Sequence, residues 1–148
     1  MSKIFFLFYG FGSFCHNHKL TYISKLIEIV QFLLFNSYVP HSSSIGSGTK
    51  FAYGCIGVVI HKRAVIGKNC TIGQGITIGG RSKSIGVPWL GDNVYIGAGA
   101  RILGDLKVGD NVIIAPNSVV ISDVPCNCIV GGIPAKILRN NIDPLDYI

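Results

Sequence analysis

Four histidines, His16, His18, His41 and His61, are the side chains of this 148-residue chain best suited to moving a proton near neutral pH. His16 and His18 fall in a short polar stretch. His41 follows Val39-Pro40, and His61 follows the aliphatic run Val58-Val59-Ile60. One histidine in the patterned part of the chain suits acid–base work on a hydroxyl. It does not suit zinc catalysis of the hydratase type, which needs three converging ligands. The five cysteines, Cys15, Cys55, Cys70, Cys126 and Cys128, are odd in number and form no CxxC motif. They read as small buried apolar residues in a reducing compartment. The pairs Gly10-Phe11-Gly12, Gly46-Ser47-Gly48 and Gly97-Ala98-Gly99 belong to no GxGxxG fingerprint, so no dinucleotide-binding turn is expected.

The elements that must position these residues follow from a repeat. Every sixth residue from Ile60 is aliphatic: Ile60, Ile66, Ile72, Ile78, Leu90, Ile96, Ile102, Val108, Ile114 and Val120, with Ser84 the only break. A second small or apolar residue follows four positions later, as at Ala64, Cys70, Ile76, Val94 and Ala100. Period six matches neither a helix nor an alternating hairpin sheet. It fits an all-β solenoid of short strands, with three faces to each coil of 18 residues. The chain holds 19 glycines, and many follow the aliphatic position: Gly67, Gly73, Gly79, Gly91, Gly97 and Gly109. They are expected, with Asn69, Asn93 and Asn111, to take the corner turns at positive φ. His61 stands where such a glycine is due, so its ring is predicted to project from a corner. Residues 80–89 cannot form a face and are predicted to leave the solenoid as a loop. An earlier phase, Ile45-Gly46 then Phe51, lies three residues out of step. His41, just before it, reads as a surface residue at the start of the first coil.

Ahead of the repeat, residues 1–38 read as two helices, about 4–15 and 20–36, joined by a polar turn at 16–19. The run Ile4–Cys15 has the length of a signal-peptide core, but no small-x-small site follows it. It is also short for a bilayer span. Phe5, Phe6, Phe8, Tyr9, Phe11 and Phe14 make this helix unusually apolar. It is expected to pack on the protein or another subunit, with the membrane surface as the alternative. The solenoid then covers 39–139 and a tail 140–148. Charged residues make up 14% and hydrophobic ones 49%, which excludes a disordered chain. The net charge of +6 is scattered, and its longest run, His61-Lys62-Arg63, has no interleaved aromatic residues. Nucleic acid is therefore not expected as a partner, and an anionic cofactor suits the surface better.

Three segments, Ile72-Gly73-Gln74-Gly75-Ile76-Thr77-Ile78-Gly79-Gly80, Val94-Tyr95-Ile96-Gly97-Ala98-Gly99-Ala100 and Gly131-Gly132-Ile133-Pro134-Ala135-Lys136, resemble the hexapeptide-repeat acyltransferases. Within these the chain resembles the branch holding serine acetyltransferase and the capsular or O-antigen polysaccharide O-acetyltransferases. The resemblance covers roughly residues 39–139. It implies a left-handed parallel β-helix, a homotrimer, and acetyl-CoA as co-substrate in the cleft between subunits, with no metal. It implies a cytoplasmic enzyme, with the inner membrane face as an alternative site of contact. It places Gly79 and Gly80 near the thioester and Ala98, Gly99 and Ala115 along the pantetheine arm. Lys136 and Arg139 either meet the nucleotide phosphates or form a solvated basic tail.

Transfer from the thioester to a hydroxyl needs a base, donors for the oxyanion and a means of bringing the substrates together. His61 is the candidate base, since corners border the cleft in the resembling fold. Tyr53, Arg81, Lys83 and Trp89 are the candidates on the acceptor side; Trp89 either stacks on a sugar or packs on the solenoid wall. Two departures from serine acetyltransferase stand out. Its Asp-His pair is replaced here by Tyr53-Gly54, and its loop histidine by Val87. Val58-Val59-Ile60-His61 looks more like the saccharide O-acetyltransferases, which favours a sugar hydroxyl over a serine hydroxyl or a sugar nitrogen. A trimeric scaffold or membrane-surface module is the non-catalytic alternative.

Overall fold

The computed structural model describes residues 2–82, 85–144 and 147. Two helices come first, α1 (Ser2–Asn17) and α2 (Thr21–Phe35). The first runs past its predicted end into the polar stretch. The second stops at Asn36, whose left-handed backbone turns its N–H back to the Phe32 carbonyl at 2.9 Å.

Short strands then wind into coils: β1 (Ser44–Ile45), β2 (Lys50–Phe51), β3 (Val59–Ile60), β4 (Val65–Ile66), β5 (Thr71–Ile72), β6 (Thr77–Gly79), β7 (Trp89–Leu90), β8 (Tyr95–Ile96), β9 (Arg101–Leu103), β10 (Lys107–Val108), β11 (Ile113–Ile114), β12 (Val119–Val120), β13 (Cys128–Gly132) and β14 (Ala135–Asn140). They form three sheets of orders β1-β4-β7-β10, β3-β6-β9-β12 and β2-β5-β8-β11-β13-β14. Every pairing is parallel except β13 with β14, which closes the last coil as an antiparallel hairpin. Pairing of Tyr38 with Val59 begins the second sheet before the first full coil.

The predicted inward column is the core. Ile60, Ile66, Ile72, Ile78, Leu90, Ile96, Ile102, Val108, Ile114 and Val120 are all at most 1% exposed. The second column, Ala64, Cys70, Ile76, Val94 and Ala100, is buried beside them. Both irregularities of phase become visible. The three-residue slip after Phe51 is a tight turn, Ala52–Cys55, with Tyr53, Gly54 and Cys55 in the left-handed region. The break in the repeat is an insertion of one hexad between β6 and β7: Ile66 pairs with Leu90, 24 residues on, where Leu90 pairs with Val108, only 18 on. The aliphatic column therefore keeps its phase across the loop.

Three expectations need correction. The glycines after the aliphatic positions do not hold the positive-φ turns. Those fall two residues later, on Asn69, Gly75, Asn93, Gly99, Asn111 and Asn117, with φ between 54° and 73°. The hexad glycines answer to crowding instead. A Cβ on Gly97 would stand 2.5 Å from the Pro116 nitrogen, and one on Gly109 would stand 2.6 Å from the Cys126 nitrogen. The next coil passes too close for a side chain. Second, the cysteines are not all buried, because Cys126 is exposed.

Third, His41 is not a surface residue but is 3% exposed. It sits under the two helices, 2.9 Å from Ser24 Oγ through Nδ1 and 2.9 Å from Gln31 Oε1 through Nε2. Its backbone N–H donates to Glu28 Oε1 at 3.0 Å. From α1, Ser13 Oγ donates to the His41 carbonyl and Tyr9 Oη to the Ser43 carbonyl. The short hydroxyl and amide side chains of the helices thus satisfy the first coil's polar groups. This cluster, with the edge-to-face rings of Phe5, Phe35 and Phe51, fixes the helical segment to the solenoid.

Candidate functional site at two corners of the solenoid

The strands β3, β6 and β9 lead, coil by coil, to one corner. At the first level it carries His61, whose N–H donates to the Ile78 carbonyl at 2.8 Å and whose ring is half-buried beyond the strand end. At the next level the chain leaves as the loop after Gly79. At the third it turns through Gly104 and Asp105, with the Gly104 N–H donating to the Gly79 carbonyl at 2.9 Å.

The loop is folded across this corner. The Arg63 guanidinium donates to the Ile85 carbonyl. Gly86 lies so close to Asp105 that a Cβ there would overlap the carboxylate. Gly80, Arg81 and Trp89 are exposed, and Trp89, at 44%, shows part of its ring outward from β7. Lys83 lies outside the described residues.

Gly79 and Gly80 differ from the crowded glycines. A Cβ on Gly79 would meet nothing nearer than 3.8 Å, and one on Gly80 nothing nearer than 4.0 Å. Coil stacking does not demand glycine at either position. A Cβ at either would sit in ordinary van der Waals contact, so the backbone is uncrowded here and, without a side chain, can be approached closely.

Ala98, Gly99 and Ala115 line a different corner, between the sheet of β5, β8 and β11 and the sheet of β6, β9 and β12. Stacked bonds mark its levels: Gly75 N–H to the Ile56 carbonyl, Gly99 N–H to Gln74 and Asn117 N–H to Ala98, each 2.9 Å. Tyr53 belongs to this corner, one level before Gly75, at φ 50° and 71% exposed. Lys136 joins it from the far end. It pairs with Gly131, and a Cβ on Gly131 would lie 3.1 Å from the Ala115 Cβ. Arg139 is directed elsewhere: Nη1 donates to Tyr147 Oη at 3.1 Å, with the guanidinium 6.0 Å from that ring's centre.

Within one chain, therefore, His61, Gly79, Gly80, Arg81 and Trp89 share one corner. Tyr53, Ala98, Gly99, Ala115 and Lys136 share the next.

The proton positions at His61 follow from one bond. The Arg63 backbone N–H donates to His61 Nδ1 at 3.1 Å, so Nδ1 is an acceptor and the neutral ring carries its proton on Nε2. In this orientation Nε2 donates. To receive a proton, the ring must release the Arg63 amide.

Two arginines that the sequence did not single out shape these corners. Arg63 sets the His61 tautomer through its amide and holds the loop through its guanidinium. Arg101 directs Nη1 to the carbonyls of Gly75, Gly99 and Ala100, gathering the second corner. Their signal was faint: Arg63 sits in the basic run beside His61, and Arg101 occupies the outward slot before Ile102. Among the described residues, no three His, Cys, Asp or Glu side chains come together as a metal site would need.

Residues 88–122 match the family model "Bacterial transferase hexapeptide (six repeats)". The serine acetyltransferase of Synechococcus elongatus is 38% identical over 137 residues, 89% of this chain and 56% of that relative. A serine acetyltransferase from Brucella abortus, solved in complex with coenzyme A, superposes with a TM-score of 0.86 at 31% identity. That match covers 91% of this chain and 54% of the other. The Neisseria gonorrhoeae serine acetyltransferase in complex with serine gives 0.84 at 30% identity, over 91% of this chain and 55% of the other. The chain thus spans about half the length of the relatives it matches. The solenoid is the hexapeptide-repeat left-handed β-helix, as the sequence implied. The relatives are serine acetyltransferases, where the sequence had pointed to the polysaccharide branch.

Proposed function

We propose that the chain is an acetyl-CoA-dependent O-acetyltransferase, and that the hydroxyl of serine or of a small molecule like it is the acceptor. The observation that carries this reading is the likeness, over nine-tenths of the chain, to serine acetyltransferases solved with coenzyme A and with serine. Uncrowded backbone at Gly79 and Gly80 supports it, because a thioester must come close to amide donors there. The second corner sets the small residues Ala98, Gly99 and Ala115 on the way to Lys136. That order suits a pantetheine arm followed by phosphates. The two corners complete one site when the first corner of one subunit faces the second corner of its neighbour in a homotrimer. Coenzyme A supplies the activated acetyl group. His61 serves the acceptor hydroxyl, giving up the Arg63 amide when it takes the proton.

One observation favours a saccharide acceptor instead. Tyr53-Gly54 stands where the resemblance places the Asp-His pair of serine acetyltransferase. Tyr53 and Trp89, both well exposed, would offer a sugar ring aromatic surface on the two sides of the cleft.

Free thiol release from acetyl-CoA, followed with serine and in parallel with nucleotide-linked and free sugars, tests both readings. Release driven by serine supports the first, and release driven only by sugars replaces it with the second. Absence of acetyl-CoA binding would sink both.

A further inference from the structure

The helical segment shows a face that its own chain does not cover. On α1, Ile4, Leu7, Phe11 and Phe14 are 52–73% exposed, at the three- and four-residue spacing that lines one side of a helix. On α2, Tyr22, Leu26, Ile29 and Leu33 follow the same spacing at 57–89%. Large apolar side chains left outward in rows mark a surface that meets something else.

The charges on these helices identify the occupant. Lys3, Lys19 and Lys25 are exposed around the apolar rows. The single acidic residue of residues 1–38, Glu28, is occupied inward, accepting from the His41 N–H at 3.0 Å. The face is thus apolar and net cationic: three lysines against one carboxylate, which is a quarter exposed and held by the His41 N–H. A second copy of the same face would set six lysines against two partly engaged carboxylates, a net repulsion. An anionic lipid surface supplies both missing partners, acyl chains for the rows and phosphates for the lysines. Beside α1 an apolar groove of about 710 Å³ lies between Phe6, Leu7 and the Gly48–Lys50 turn, with Lys3 and Lys50 lining it. Its apolar floor and two cations repeat the same chemistry. No helix among the described residues is long and apolar enough to cross a membrane, so the segment would lie along the surface.

We propose that α1 and α2 form an interfacial docking surface for anionic membranes, independent of the acetyl transfer proposed above. Cosedimentation of the full chain with phosphatidylcholine vesicles, with and without phosphatidylglycerol, tests it. Binding to the anionic vesicles is expected, weaker by about tenfold or more on the neutral ones and reversed by salt. Lys3→Glu with Lys25→Glu should abolish it, and Leu7→Asn with Leu26→Asn should weaken it. Circular dichroism should show both variants folded, because all four side chains are exposed. Equal binding to both vesicle types, or none, overturns the proposal. So does a doubled mass in light scattering that Leu7→Asn with Leu26→Asn halves, since a second copy would then cover the face.

Discussion

The backbone N–H of Arg63 donates to His61 Nδ1 at 3.1 Å, while the guanidinium of the same residue holds the Ile85 carbonyl. One residue therefore governs both the proton position on the corner histidine and the lie of the loop. If His61 serves the acceptor hydroxyl, His61→Ala should lower kcat by roughly 10²–10⁴, the usual worth of a positioned acid–base group. Acetyl-CoA binding, measured by calorimetry, should be unchanged. A variant turning over at the wild-type rate would remove His61 from the reaction.

Arg63→Ala separates the two duties, because the backbone amide survives the substitution. His61 keeps its tautomer, whereas the loop loses its tether at Ile85. The expected result is a several-fold rise in acceptor KM with kcat changed much less. A fall in kcat with KM constant would mean that the guanidinium acts on the reacting groups and not on the loop.

Two glycines should respond to alanine with opposite signs. Gly97→Ala forces a methyl group to within 2.5 Å of the Pro116 nitrogen in the next coil. Overpacking of that kind costs about 1–3 kcal/mol. Gly10 lies in α1 with nothing within 4 Å of its would-be Cβ, so Gly10→Ala should stabilise the helix by about 0.5–1 kcal/mol. Thermal melting reads both, and a lowered Tm for Gly10→Ala with a raised one for Gly97→Ala would refute the packing account.

These glycines show where the sequence was legible. Period six exposed the solenoid, its inward column and the loop, because burial of Ile60 through Val120 must repeat with the coil. It did not show which member of each hexad takes positive φ. Glycine satisfies both a left-handed turn and a close approach, and only the neighbouring coil tells them apart: Gly97 is crowded, Gly99 is turned at φ 73°. His41 was misjudged for a related reason. Its partners Ser24, Glu28 and Gln31 lie 10–17 residues earlier on another element, and no periodicity links them. At the candidate site, His61 and the Gly79-Gly80 pair are candidates that pattern and resemblance single out. Arg63 and Arg101 act through backbone carbonyls, which no residue spacing reveals.

The thiols should divide sharply. Burial pushes Cys55 up to about 12, and burial also raises Cys70 and Cys128. The thiolate is the reactive form, so these three should resist alkylation in the native state. Cys126 is exposed. Brief iodoacetamide treatment near pH 8, read by peptide mass spectrometry, should label Cys126 well ahead of the others. Equal labelling of Cys55 would show that the second coil opens readily.

Acid should loosen the helical segment through His41. Burial holds its pKa below the ordinary histidine value, with the Glu28 carboxylate opposing and His16 adding to the depression. Tyr9 and Ser13 face it from α1, and Ser24, Glu28 and Gln31 from α2. With the folded pKa depressed, the unfolded chain binds the proton first as pH falls through the ordinary value near 6.5. Stability attributable to His41 is therefore complete above that pH and declines below it, until the folded pKa is passed. His41→Asn should be less stable than wild type at pH 8, since Ser24 and Gln31 lose buried partners worth about 1–3 kcal/mol. Between pH 7 and pH 5, its deficit should narrow, because the variant has no imidazole to protonate. Thermal melts of both proteins across that range provide the measurement. A deficit that widens on acidification would mean that the folded protein favours the charged ring, with Glu28 as its counter-ion at 3.7 Å, and a constant one would mean that folding leaves the proton affinity of His41 unchanged.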